Sequence, residues 1–171
     1  MTAITKKIML LRHAKAEPAT ASGDHERALT VAGRQDAENL GQHLRDVKLI
    51  PQSIYCSSAN RAMQTANIIC EQLFIDPSQI TTRETLYLAN TDLFLSLLQG
   101  LNNRIRCVML VGHNPTLETV VASLRNDLAS DPARDIHLSP ASLVVLEFDG
   151  DWGSLNRHSC FTKQVIHGKQ L

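Results

Sequence analysis

Three short apolar runs of this chain each end on residues that carry chemistry. The first, within "KKIMLLRHAKAE", ends on Arg12 and His13. The second, "SIYCSS", ends on Ser57 and Ser58 and is followed at once by Asn60 and Arg61. The third, "RCVMLVGH", closes on Gly112 and His113, before Asn114. Taken singly, each residue has an ordinary reading as a solvated strand end, a surface histidine or a turn. Arg61 at a helix start is poorly placed against the helix dipole, unless an anion lies between it and the helix amides. One explanation covers all four side chains, a phosphate pocket with a histidine nucleophile. Arginine neutralises phosphoryl oxygens with a planar fork of donors. A neutral imidazole at His13 attacks phosphorus and holds the group as phosphohistidine. Neighbouring arginines disfavour protonation of that ring. His113 donates to the same oxygens, and fixed donors rather than a metal meet the transition-state charge.

For these residues to meet, the runs that carry them must be strands of one sheet, because open α/β sheets form their sites at the carboxyl ends of the strands. The periodicity agrees. Apolar residues at Ala37, Leu40, Leu44 and Val47 predict a helix from Thr30 to about Lys48, and Ala62, Met63, Ala66, Ile69, Cys70 and Leu73 predict another from Asn60 to Phe74. "ITTRETLY" reads as a weaker strand and "TDLFLSLLQGL" as a helix capped by Thr91. Asn114 and Pro115 read as the N-cap and first turn of a helix with Leu117, Val120, Val121 and Leu124 on one face. "ASLVVLEFDGDW" and "CFTKQVIHGK" have no helix between them and read as an antiparallel pair. "EPATASGDHE" and "NDLASDPARDIHLSP" read as loops. The expected fold is α/β, three layers α/β/α with a mostly parallel central sheet and an antiparallel C-terminal strand pair, as one domain over residues 1–171.

Composition narrows the function classes. The chain has 171 residues, 43% hydrophobic, with 17 Lys+Arg balanced by 17 Asp+Glu. That suits a full core and gives no bulk charge for a nucleic-acid or membrane surface. No stretch approaches a membrane span. Cys56, Cys70, Cys107 and Cys160 are far apart and three lie in apolar runs, so buried thiols are expected rather than a metal site or disulfide framework. A reducing, cytoplasmic setting follows as the expectation.

The same residues resemble a known family. "LLRHAKAE" resembles the Arg-His-Gly signature of the histidine phosphatase, or phosphoglycerate-mutase-like, superfamily. "SSANRAMQTA" resembles its second signature and "LVGHNP" its third, and "DHERALTVAGRQDA" is similar to the Asp-x-x-Arg-x-Leu-Thr-x-x-Gly run of small SixA-type phosphohistidine phosphatases. The resemblance implies that His13 is phosphorylated and that Arg12, Arg61 and His113 bind phosphate. It makes Arg27 a further candidate near the pocket, while Lys15 adds positive charge or merely lies on the surface. No Asp or Glu stands beside His13 or His113 at ligand spacing, which argues against a hydrolase with a metal on these two residues, and no cofactor is expected. Ala14 stands where the broad family has glycine, which matters if that position needs a positive φ. Glu84 is the nearest candidate for a proton donor, whereas Asp92 reads as a helix-start residue.

The resemblance leaves a choice of substrate. Two modest loops leave an open pocket, which suits a phosphatase better than a mutase. Imidazole, with a pKa of about 6.5, leaves phosphorus without much acid assistance, whereas an alkoxide needs a placed acid. The expectation is therefore a metal-independent phosphatase acting on phosphohistidine of a protein, a histidine-phosphotransfer domain among the candidates. The alternatives are a small-molecule phosphomonoesterase and a weakly active phosphate-binding module.

Overall fold

Strand β1 (Thr5–Arg12) is the axis of the molecule, because side chains on a strand alternate between faces and β1 buries both. Ile8 and Leu10 enter one hydrophobic core, and Met9 and Leu11 enter the other. The computed structural model describes residues 4–126 and 136–171. Lys6, near the start of β1, is also buried. Its Nζ donates to the Asn103 and Ile105 carbonyls and lies 5.6 Å from the centre of the Trp152 ring.

β1 is flanked by β4 (Cys107–Gly112) in parallel and β5 (Ser142–Asp149) antiparallel. β2 (Ser53–Ser57) and β3 (Ile80–Arg83) extend the parallel side, and β6 (Phe161–His167) pairs antiparallel with β5 at the other edge. The order is β3-β2-β4-β1-β5-β6. The expected antiparallel C-terminal pair is present, and among the described residues β5 is the one strand that runs against the others. Register sets the site. Arg12 pairs with Gly112, and Cys56 pairs with Val111. His13, His113 and Ser57 therefore leave neighbouring strands at one level.

Helices cover both faces. α1 (Val31–Asp46) and α2 (Asn60–Leu73) put Leu40, Leu44, Ala62, Ala66 and Ile69 against Met9 and Leu11. α3 (Thr91–Gln99) and α4 (Thr116–Leu124) put Phe94, Leu98, Leu117, Val120 and Leu124 against Ile8 and Leu10. This is the expected three-layer α/β/α arrangement.

Three local expectations are corrected. The third strand stops at Arg83, and Glu84–Leu86 form a 3-10 turn. Arg83 pairs with Ser57, where β2 ends before α2, so no backbone remains for a longer β3 to pair with. Asn90, not Thr91, caps α3, its Oδ1 accepting from the Leu93 amide at 2.9 Å. Asn114 does not cap α4. Its side-chain amide donates to Glu118 Oε1 and to the Leu138 carbonyl instead, and the Asn114–Pro115 peptide is cis. The loop after β1 carries only isolated bridges. Of the second expected loop, residues 127–135 lie outside the described residues, and 136–140 have no regular structure.

Gly33 shows how tightly that first loop is seated. Thr30 caps α1 by accepting from the Gly33 amide, and its own amide donates to the Lys15 carbonyl at 2.9 Å. A Cβ on Gly33 would stand 2.1 Å from that carbonyl oxygen. Gly33→Ala should therefore lower the melting temperature by about 2–10 °C through overpacking. An unchanged thermal melt would contradict this placement of the loop.

Candidate active site

His13 follows directly from β1, and its amide donates to the Gly112 carbonyl at 3.1 Å. The ring is buried. Nδ1 lies 2.8 Å from the Ala14 carbonyl, which can only accept, so Nδ1 carries the proton. The lone pair is then on Nε2, where Arg61 Nε donates at 3.3 Å. Burial pushes the His13 pKa down to about 4. Arg61, Arg12 and Arg27 push the same way, and the bond to Ala14 pushes against them. Ala14 has no positive φ and is fully buried, so the alanine of this signature carries no backbone strain.

Arg61 is placed by the first turn of α2. Its Nη1 donates to the Asp24 carbonyl at 2.7 Å and its Nη2 to Asp24 Oδ2 at 2.9 Å. The neighbouring motif residues tie the two loops to α2. The Ala14 amide donates to Thr65 Oγ1, the Leu29 amide to Gln64 Oε1, and the Asn60 side chain to the Glu26 carbonyl. The anion expected between Arg61 and the helix amides has a different counterpart in the fold. The amides of Ala62 and Met63 donate to the Ala59 carbonyl, the Asn60 amide donates to the His25 carbonyl, and the charge facing Arg61 is the Asp24 carboxylate.

Arg12 Nη1 donates to the Leu138 carbonyl at 2.6 Å. The same carbonyl accepts from Asn114, and the Leu138 amide donates to Glu118 Oε1, so α4 holds this segment against Arg12. The His113 ring centre lies 5.0 Å from that of His13, and its Nε2 is 2.7 Å from Ser57 Oγ. Ser57 Oγ already accepts from the Ala59 amide. Donation of its hydroxyl proton to Nε2 leaves His113 protonated at Nδ1, an assignment from the bonding pattern. Burial lowers the His113 pKa to about 3, helped by His13, Arg61 and Arg12 and opposed by Asp24. Both His113 Nδ1 and Arg12 Nε are buried with no hydrogen-bond partner.

The fold thus brings together Arg12, His13, Arg61 and His113, all taken from the sequence. Arg27 joins them at one remove, donating to Asp24 Oδ1 at 2.9 Å and to the Glu17 carbonyl at 2.6 Å. Lys15 is exposed, and its side chain has no partner among the described residues. Glu84 is exposed beside Thr85, Leu88 and Leu93, and its side chain makes no hydrogen bond or ion pair with the cluster. Two residues were missed. Asp24 opens the Asp-x-x-Arg run, so its signal was present. Tyr87, whose hydroxyl donates to Asp24 Oδ2 at 2.7 Å and whose ring meets His113 edge-on at 5.6 Å, had none. All four cysteines are free and buried. Among the described residues, no three His, Cys, Asp or Glu side chains are grouped to hold a metal ion, and no helix is long and apolar enough to cross a membrane.

Comparison with known proteins gives the same picture. The sequence pattern of the histidine phosphatase superfamily (branch 1) matches residues 8–87. A protein from Mycobacterium tuberculosis with no assigned function is 28% identical over 149 residues, 85% of this chain and 91% of the relative. A structure from Nakamurella multipartitia, assigned as the phosphohistidine phosphatase SixA, superposes with a TM-score of 0.82 at 28% identity, covering 95% of this chain and 96% of that one. A counterpart from Agrobacterium tumefaciens with the same assignment superposes with a TM-score of 0.76 at 29% identity, covering 94% and 97%.

The two buried imidazoles make stability depend on pH. An imidazole in the unfolded chain titrates near 6.5, whereas His13 and His113 titrate near 4 and 3 in the folded protein. Between these limits the unfolded chain binds more protons, so stability falls as pH drops below about 6.5. Thermal melts should show this decline, and it should be shallower in His113→Gln, which removes one of the two groups. An identical slope in the variant would contradict a buried, neutral His113.

Proposed function

We propose that this chain is a histidine phosphatase that removes phosphate from phosphohistidine through a covalent intermediate on His13, a reading supported by the match of residues 8–87 to the histidine phosphatase superfamily and by the fold shared with the two SixA structures. The observation that carries the reading is the bond from His13 Nδ1 to the Ala14 carbonyl, which leaves the Nε2 lone pair beside Arg61. In the first step Nε2 attacks phosphorus and the phosphorus–nitrogen bond of the substrate breaks. The leaving imidazole takes the electron pair and gains a proton from solvent. The ring of His13 keeps its Nδ1 proton throughout, so the Ala14 carbonyl faces the charge that develops. In the second step water attacks phosphorus, the bond to Nε2 breaks, and inorganic phosphate leaves with the protons of the water. Arg12, Arg61 and His113 receive the phosphoryl oxygens, and the unpaired Arg12 Nε and His113 Nδ1 support that role. Arg27 and Lys15 add positive charge around them.

The choice of a phosphorus–nitrogen bond rests on proton supply. The carboxylate in the cluster, Asp24, is held well below the usual carboxylate range by its bonds from Arg27, Tyr87 and Arg61, so it has no proton to give. Phosphohistidine needs none from the enzyme, whereas an alkyl ester does. Glu84 is our candidate donor for an ester. The names of the two SixA structures support phosphohistidine as the substrate, and we propose that a protein carries it, for example a histidine-phosphotransfer domain. The four free, buried thiols support a cytoplasmic setting.

The test is kcat/KM for phosphoramidate or a phosphohistidine peptide against glycerol phosphate. The nitrogen-linked substrate should be preferred, and a clear preference for the ester would make the protein a general phosphomonoesterase. Glu84→Gln should leave the nitrogen-linked rate nearly unchanged while slowing the ester by roughly 10²–10⁴-fold, the span of general acid catalysis. Chelator treatment should change neither rate. Activity lost to a chelator and restored by a divalent ion would contradict the role given to the arginines.

A further inference from the structure

A guanidinium carries five N–H groups in one plane, divided between an end-on edge formed by its two terminal nitrogens and a side-on edge that includes Nε. Arg61 has its end-on edge engaged. Nη1 donates to the Asp24 backbone carbonyl and Nη2 to the Asp24 carboxylate. The side-on edge is thereby turned to His13, with Nε 3.3 Å from Nε2. A phosphoryl group transferred to Nε2 brings its oxygens to that same edge.

Asp24 is itself restrained from several directions. Arg27 donates to Oδ1 at 2.9 Å and is fixed in turn by the Glu17 carbonyl. The Tyr87 hydroxyl donates to Oδ2 at 2.7 Å, and the Arg61 guanidinium lies 5.9 Å from the centre of the Tyr87 ring. The next residue, His25, accepts from the Asn60 amide through its carbonyl, which ties this loop to the start of α2. An ordinary surface ion pair has two mobile side chains. Here the Arg61 side chain is 7% exposed, so its orientation is fixed by what it meets inside the fold.

We infer that Asp24 is a positioning residue: it holds Arg61 by the end-on edge so that the side-on edge faces the phosphoryl oxygens at His13 Nε2. Tyr87 and Arg27 hold the carboxylate in place for this task. The inference rests on reading the cluster as a phosphoryl pocket. It adds a group that does not touch the substrate, and it specifies which edge of Arg61 binds.

The test is a double-mutant cycle on the full chain, read as vanadate affinity and, separately, as turnover of phosphoramidate. Asp24→Asn should weaken vanadate binding about 10-fold or more, as expected for the loss of a hydrogen bond to a charged group. Tyr87→Phe should weaken it less, in the same direction. In the Arg61→Ala background both effects should shrink to within about twofold, because Asp24 then has nothing to orient. Additive effects in that background would overturn the inference even if the pocket reading stood. The second readout is the Arg61 Nε–H resonance, identified by its absence in Arg61→Ala. It should shift or vanish in Asp24→Asn. Should the wild type bind no vanadate, the pocket reading falls, and an Arg61 resonance unmoved by Asp24→Asn would overturn the positioning role independently.

Discussion

The nucleophile we propose, His13, must keep a lone pair while standing in a field of positive charge, and the rest of the site depends on how it meets that constraint. Burial and three guanidinium groups bring its pKa to about 4, so the ring is neutral at pH 7. An unperturbed imidazole would be protonated in roughly a quarter of molecules. The Ala14 carbonyl then fixes which nitrogen is free. None of this works on a mobile loop. His13 leaves a strand whose side chains are buried on both faces, and its amide is tied to β4. The rigidity of β1 is therefore part of the proposed chemistry.

The motif residues divide into those we propose to meet the phosphoryl group and those that hold them. Thr65 receives the Ala14 amide, Gln64 receives the Leu29 amide, and the Asn60 side chain reaches the Glu26 carbonyl. Gly33 leaves room for the Lys15 carbonyl, which accepts from Thr30. Together these contacts pin the loop after β1 against the start of α2. That loop carries Asp24 and Arg27, so the geometry of Arg61 depends on contacts made several residues away. The signatures read as separate words along the chain, and in space they form one hydrogen-bonded unit.

The layers, the parallel sheet and the four central residues were legible because each rests on a strong signal. Continuous apolar runs mark buried strands, helical periodicity marks the covering helices, and the polar residues stand at the strand ends. The misreadings were local and had local causes. "ITTRETLY" has strand character throughout, but pairing requires a neighbour, and β2 ends at Ser57. Asn90 and Thr91 are both fair caps, and only backbone geometry separates them. Asp24 lay inside a recognised run yet passed for a loop residue, because its partner Arg61 is distant in sequence. Tyr87 had no signal at all, since its role arises from the 3-10 turn that replaces the expected end of β3. The same turn brings Tyr87 to His113 and leaves Glu84, the donor we propose for an ester, exposed.

The central claim is that Nε2 of His13 is the atom that takes the phosphoryl group, with Nδ1 held as a donor to Ala14. The most direct measurement is to quench the enzyme in alkali during turnover and determine by ³¹P and ¹⁵N NMR which nitrogen of which histidine carries phosphorus. The account predicts a phosphohistidine at position 13, linked through Nε2 and stable to base. Phosphate on Nδ1 of His13, on His113, or on no histidine at all would contradict it.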